Sequence, residues 1–200
     1  MRTRRNKNIA SGYKKVTLEW VNLPHHGAQH LPFILELFSK HLDVFLDDAH
    51  TVEPTLEGKA SFCLDTLEAM SGWVAVALAD GVPFGVQFVR SWDGLTAEVG
   101  GVGKPKVYQP AMDEAFSQFI EAIFSTGKAE LLRALTAEGN KAARVVLKRV
   151  GFNTPQPYRG YKVKNGEIIN AIMLSLSKQE WSLSYGRSQE KHPSTSTSPA

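Results

Sequence analysis

AELLRALTA, Ala129–Ala137, followed after two residues by NKAARVVLKRVGF, Asn140–Phe152, carries the change of period from which the fold can be read. The first piece is a short, nearly continuous apolar run of strand length and reads as a buried strand. The second opens on Asn140, whose side chain suits it to satisfy the unpaired amides of a helix start, and it is stopped by Gly151. A strand therefore feeds directly into a helix.

Upstream, the stretch Ala111 to Phe124 sets Met112, Ala115, Phe116, Phe119, Ile120 and Ile123 on one helical face. Before it come WVAVALAD (Trp73–Asp80), PFGVQFVRSW (Pro83–Trp92) and LTAEVGGVG (Leu95–Gly103), separated by Asp80-Gly81 and Asp93-Gly94. Asp-Gly pairs between apolar runs favour tight hairpins, so the three form an antiparallel meander. Strand, helix, strand in succession implies a right-handed crossover and one parallel pair. KVTLEWV (Lys15–Val21) supplies a first strand, and Tyr158 to Val163 with Ile168 to Leu176, joined by Asn165-Gly166, supply two closing ones. Two helical patterns lie after the first strand. One runs through Leu31, Ile34, Leu35, Phe38, Leu42, Phe45 and Leu46, the other through Ala60, Cys63, Leu64, Leu67 and Met70. The expected class is α/β with a mixed sheet: largely antiparallel, one parallel crossover pair, helices on its flanks.

One domain over residues 15–181 accommodates these elements. Residues 1–14 read as a basic arm containing Arg2, Arg4, Arg5, Lys7 and Lys14, and residues 182–200 as an unordered Ser/Thr/Pro-rich tail. The arm could meet phosphates, but no aromatic residue for base stacking precedes Tyr13, and a solvated terminus is the favoured reading over nucleic acid. No apolar segment has membrane-spanning or leader character, so the expectation is a cytoplasmic protein without a membrane partner.

Several chemistries find no support. Cys63 is the only cysteine, which removes intrachain disulfides and multi-cysteine metal knuckles, and a packed thiol is its ordinary reading. His25, His26 and His30 share no helical face with a carboxylate before Glu36, so no metal is expected. Gly101, Gly103 and Lys104 lack the spaced first glycine of a P-loop, and Pro105 stands where it needs Ser or Thr.

The helix ending in Gly-Phe at Asn140–Phe152, together with the closing hairpin RGYKVKNGEIINAIMLSLSKQEW, resembles the GNAT N-acetyltransferases, and with the meander and crossover the resemblance covers about residues 15 to 181. It implies that acetyl-CoA is the cosubstrate and that its pantetheine arm lies between the strands Leu95 to Val102 and Ala129 to Thr136. Backbone groups of Gly100, Gly101 and Val102 would hold that arm. The pyrophosphate would rest on the loop GKPKVYQPAMDEA, where amide N–H groups and the helix dipole favour an anion. Lys106, Gln109 and Ala111 fall on three positions of the family's phosphate pattern, and its central glycine is absent. Gln109 adds a side chain there and Pro110 removes an N–H, leaving Lys104 and Lys106 to supply charge. Asn140 would touch the cofactor by the resemblance, or serve only as a helix cap.

Direct attack of an amine on a thioester needs a base for the amine proton and a donor for the leaving thiolate. Leu147 occupies the position of the tyrosine that serves as acid in many family members, which leaves Tyr158 and Tyr161 as alternative donors. Glu98 is the candidate base. Alternation sets it with Thr96, Gly100 and Val102 on the face opposite Ala97 and Val99. Two functions stay open on these residues: an N-acetyltransferase acting on a small-molecule or peptide amine, and a non-catalytic binding, regulatory or structural module of the same fold.

Overall fold

The structure is a computed structural model that describes residues 15–21, 29–41, 55–69, 73–104 and 109–189, with the side chains of Leu56, Glu57, Ala60, Cys63, Leu64, Leu67, Gln109 and residues 185–189 set aside. The basic arm, His25, His26, Leu42, Phe45, Leu46, Met70, Lys106 and the last eleven residues of the chain lie outside the described residues.

Seven strands form one sheet: β1 (Val16–Val21), β2 (Val74–Ala79), β3 (Val82–Asp93), β4 (Thr96–Gly103), β5 (Leu131–Ala137), β6 (Asn153–Lys164) and β7 (Glu167–Ser177). Their order is β1-β2-β3-β4-β5-β7-β6, with β4 and β5 parallel and every other neighbouring pair antiparallel. The described helices are α1 (Leu31–Lys40), α2 (Leu56–Ala69), α3 (Gln109–Ser125), α4 (Lys141–Arg149) and α5 (Lys178–Gln189).

Alternation along the strands assigns the two faces. Ala75, Ala97, Val99, Leu132, Ala134, Leu174 and Leu176 pack against Phe116, Phe119, Ile120 and Ile123 of α3 and Leu147 of α4. Val74, Val76, Val86, Phe88 and Val102 turn the other way, onto Ile34, Leu37 and Phe38 of α1. Strand β2 is buried along its whole length because both faces are covered, which is why it reads as an unbroken apolar run. The Asn165-Gly166 turn has φ of 55° and 75°, the left-handed pair a two-residue hairpin needs and that asparagine and glycine adopt most readily.

Two boundaries differ from the sequence expectation. Strand β6 begins at Asn153, five residues before Tyr158. Pro155 and Pro157 argue against a strand interior, but β6 is an edge strand whose register is irregular between Asn153 and Gln156, a setting that tolerates proline, and its exposed run shows no alternation to read. Helix α5 continues to Gln189, past the point where composition suggested an unordered tail. Its start is fixed by a reciprocal cap. Ser177 donates from N and Oγ to Glu180 Oε2 at 2.8 and 2.6 Å, and the Glu180 amide donates to Ser177 Oγ at 3.2 Å. Trp181, buried in the core, donates its indole N–H to Glu121 of α3 and ties α5 to the crossover helix.

Candidate active site

The parallel ladder between β4 and β5 is short. Thr96, Ala97 and Glu98 pair with Leu131, Leu132 and Arg133, and beyond them the strands separate. Strand β5 stays paired with β7 along its length while β4 stays with β3, so the seam opens without either strand losing its outer partner. A cavity of about 310 Å³ lies in the opening. Val99 to Lys104 wall one side, Ala134 and Leu135 the other, with Met112 and Phe116 of α3 and Asn140, Ala143 and Leu147 at the start and along the side of α4.

A Cβ on Gly101 would stand 3.2 Å from the Val86 carbonyl oxygen, a tight approach, and at ordinary contact distance, 3.6 Å, from Phe116 of the cleft wall. Past Glu98, the edge of β4 that faces β5 has left the ladder, and a polar, extended chain is what an unpaired strand edge can accept through backbone hydrogen bonds. These features fit the pantetheine arm of acetyl-CoA, an extended chain with amide groups.

The predicted cofactor-binding residues divide. Gly100, Gly101, Val102, Lys104 and Asn140 all line the cleft. Asn140 is also the helix cap, its Oδ1 accepting from the Ala143 amide at 3.1 Å. Lys104 stands at the mouth with Nζ 5.2 Å from the centre of the Phe33 ring. Ala111 lies in the first turn of α3, its side chain buried with Phe84, Ala77 and Ala115. Lys106 and the Gln109 side chain fall outside the described residues.

A second cavity of about 480 Å³ opens near the fork of the two strands. Arg90, Glu98, Arg133, Tyr158 and Tyr161 line it, and Leu135 lines both cavities. The three residues singled out for acid and base chemistry, which lie on β4 and β6, are thus brought to one place. Glu98 Oε1 is 3.6 Å from Arg90 Nη1, and the same nitrogen donates to Tyr161 Oη at 3.2 Å. Tyr158 meets Tyr161 edge to face, with ring centres 6.4 Å apart. Arg90 reaches this position because β3 carries a bulge between Val89 and Ser91, leaving it opposite no residue of β4. Arg90 and Arg133 were missed by sequence reasoning. Arg133 is signalled only by a charge within an apolar strand, and the bulge at Arg90 leaves no sequence mark.

Elsewhere, His30 Nε2 lies 2.6 Å from Glu19 Oε2, a contact between β1 and the approach to α1. Among the described residues no group of three or more His, Cys, Asp or Glu side chains could hold a metal ion, and no helix is long and apolar enough to cross a membrane.

A mixed sheet forked at its one parallel pair, with the crossover helix closing one side of the fork, defines a fold built to hold an extended ligand at the seam. The GNAT acetyltransferase domain matches residues 29–153, and the chain belongs to that family. Solved structures agree on the fold. The GNAT-family acetyltransferase of Bacillus anthracis superposes with a TM-score of 0.64 at 15% identity, covering 84% of this chain and 97% of the other. A Salmonella typhimurium protein, yncA, assigned as an acetyltransferase and solved with its cofactor acetyl-CoA, gives 0.60 at 18% identity, over 81% and 93%. RimL, a ribosomal L7/L12 alpha-N-protein acetyltransferase solved with coenzyme A, gives 0.63 at 14% identity, over 82% and 94%. Comparison with curated protein sequences finds no match.

Proposed function

We propose that the protein is an N-acetyltransferase that uses acetyl-CoA and acetylates an amine presented from the Glu98 side of the sheet. The observation that carries this reading is the fork after Glu98 and Arg133, which opens a glycine-walled cleft and a polar cavity that share Leu135. Bound acetyl-CoA supplies a thioester whose acyl carbon forms the new C–N bond as its C–S bond breaks.

The chain's own residues have separate tasks in this reading. Of the Gly100, Gly101 and Val102 backbone groups, those that turn from β3 toward the cleft hold the extended arm, and Lys104 offers positive charge at the mouth where the phosphates enter. Glu98 accepts the proton that the attacking amine must lose. Arg90 occupies a lone pair of Tyr161 Oη, which leaves the hydroxyl hydrogen free to be donated to the departing sulfur. Leu147 has no such hydrogen. It is buried in the core, and its contribution is to the apolar wall that keeps water from the thioester.

Calorimetric titration with acetyl-CoA tests the reading at its first requirement. Micromolar binding is expected, with thermal stabilisation of about 2.7 kcal/mol at a hundredfold excess over Kd. Gly101→Trp, which drives an indole into the cleft, should abolish both. No binding up to millimolar acetyl-CoA would sink the enzyme and leave a non-catalytic module of this fold.

A further inference from the structure

The cavity beyond the fork carries a charge that acetyl transfer does not use. Arg133 stands in register beside Glu98 on the neighbouring strand, where a salt bridge between them would be expected. Glu98 instead turns to Arg90, and the Arg133 guanidinium makes no hydrogen bond or ion pair with the described residues. The cavity therefore holds two guanidinium groups against one carboxylate.

A half-buried guanidinium is a planar fork of donors whose natural complement is a carboxylate, bound through two parallel hydrogen bonds. Such a group beside the base also disfavours simple cationic acceptors, because diamines would bring further positive charge into a cavity that already has an excess. An amine with its own acidic group reverses that balance.

We propose that Arg133 binds the acidic group of the acceptor, and that the acceptor is an amine whose chain also carries a carboxylate, supplied as a free amino acid or as the end of an acidic peptide. The inference rests on the acetyltransferase reading for its chemistry. The amine nitrogen loses a proton to Glu98 and takes the acetyl group, coenzyme A leaves as the thiol, and the acceptor's carboxylate is unchanged.

The experiment compares glycine, β-alanine and γ-aminobutyrate with the amide and the diamine of matching length, by calorimetric binding to the intact protein and by kcat/KM at saturating acetyl-CoA. At the best length the acid should outperform its amide by about tenfold or more, a difference of about 1.4 kcal/mol. Arg133→Gln should erase that preference by weakening the acid, and Arg133→Lys should restore part of it by returning the charge without the fork. The inference is overturned if amides or diamines equal the acids at every length, or if Arg133→Gln weakens acid and amide alike, as a purely structural role would. Acids that bind through Arg133 but accept no acetyl group would refute the transferase reading, and with it the acceptor role, and leave only the carboxylate-binding site standing. Acetylated diamines with ignored acids would do the reverse. A peptide with an acidic amino-terminal segment that outcompetes the free acids would assign the carboxylate to a peptide.

Discussion

Asn140 serves a helix and faces a cleft, and two substitutions separate the roles. Its Oδ1 accepts the Ala143 amide at 3.1 Å, one of the donors that α4 leaves unpaired at its start. Asn140→Ala removes that acceptor at an exposed position, which costs about 1 kcal/mol. In a chain of this length the melting temperature should fall by roughly 2 to 4 °C. Asn140→Asp keeps the acceptor and adds a negative charge where the helix dipole favours one, so it should melt at or slightly above the parent.

Affinity for acetyl-CoA should follow a different order. Asn140 lines the cleft, and aspartate both loses the amide donor and sets a negative charge against an anionic ligand. A like-charge pair at contact distance costs about 1 kcal/mol in water and about 4 kcal/mol near a protein surface. Screening at an exposed position favours the lower figure, or about a fivefold rise in Kd. The stability order is then aspartate, asparagine, alanine, and the affinity order asparagine, alanine, aspartate. Thermal melts and calorimetric titration of the three proteins decide the matter. Aspartate binding as tightly as asparagine would mean that residue 140 is a cap and nothing more.

Two carboxylates give pH signatures of opposite sign. Glu180 is held below the usual carboxylate range by the Ser177 hydroxyl and then by its amide, so the cap contributes stability above the unfolded value near 4.5 and loses it as pH falls through the folded value. Urea melts of Glu180→Ala should show a deficit of a few tenths of a kcal/mol at neutral pH, modest because the group is exposed, that closes in acid. A gap that widened on acidification would refute the cap. Asp113 is pushed up by burial, against the pull of Arg149 at 2.8 Å. Its folded form holds the proton more tightly, so its contribution is fully present below the unfolded value of 3.8 and is lost as pH rises through the folded value. Asp113→Asn should compare worst with the parent in acid and better toward neutral pH. The opposite trend would mean that the ion pair outweighs desolvation.

The element order was legible because each element announces its own period. The apolar run of β2, the helical spacing of α3 and the Asp-Gly and Asn-Gly turns are local features, set by local sterics and one-sided burial. What escaped was of two kinds. The cap that starts α5, Ser-Lys-Gln-Glu at Ser177–Glu180, is written in the sequence but lies at the edge of a segment whose composition suggested no structure. The first half of β6 carries prolines and no alternation, and only its place at the sheet edge admits it. The candidate site was legible as a region and not as a constellation. The family resemblance drew attention to β4, whereas the meeting of Glu98 with Tyr161 through Arg90 depends on a bulge and on strands far apart in the chain.

The fork explains why the candidate residues gather where they do. Strands β1 to β4 and strands β5 to β7 are each paired internally, and the two groups are joined through three register positions. Lengthening that junction would close the cleft. The glycines of β4 let bulky side chains close over both faces of the strand. A Cβ on Gly100 would stand 2.7 Å from the Phe88 ring, and one on Gly103 would collide with Met112 of α3. Phe88 and Met112 thus cover opposite faces of β4 just where it leaves β5. The last paired residues, Glu98 and Arg133, face the second cavity at the same fork. One feature of sheet topology therefore sets both the opening for a cosubstrate and the charged residues that an acceptor would meet.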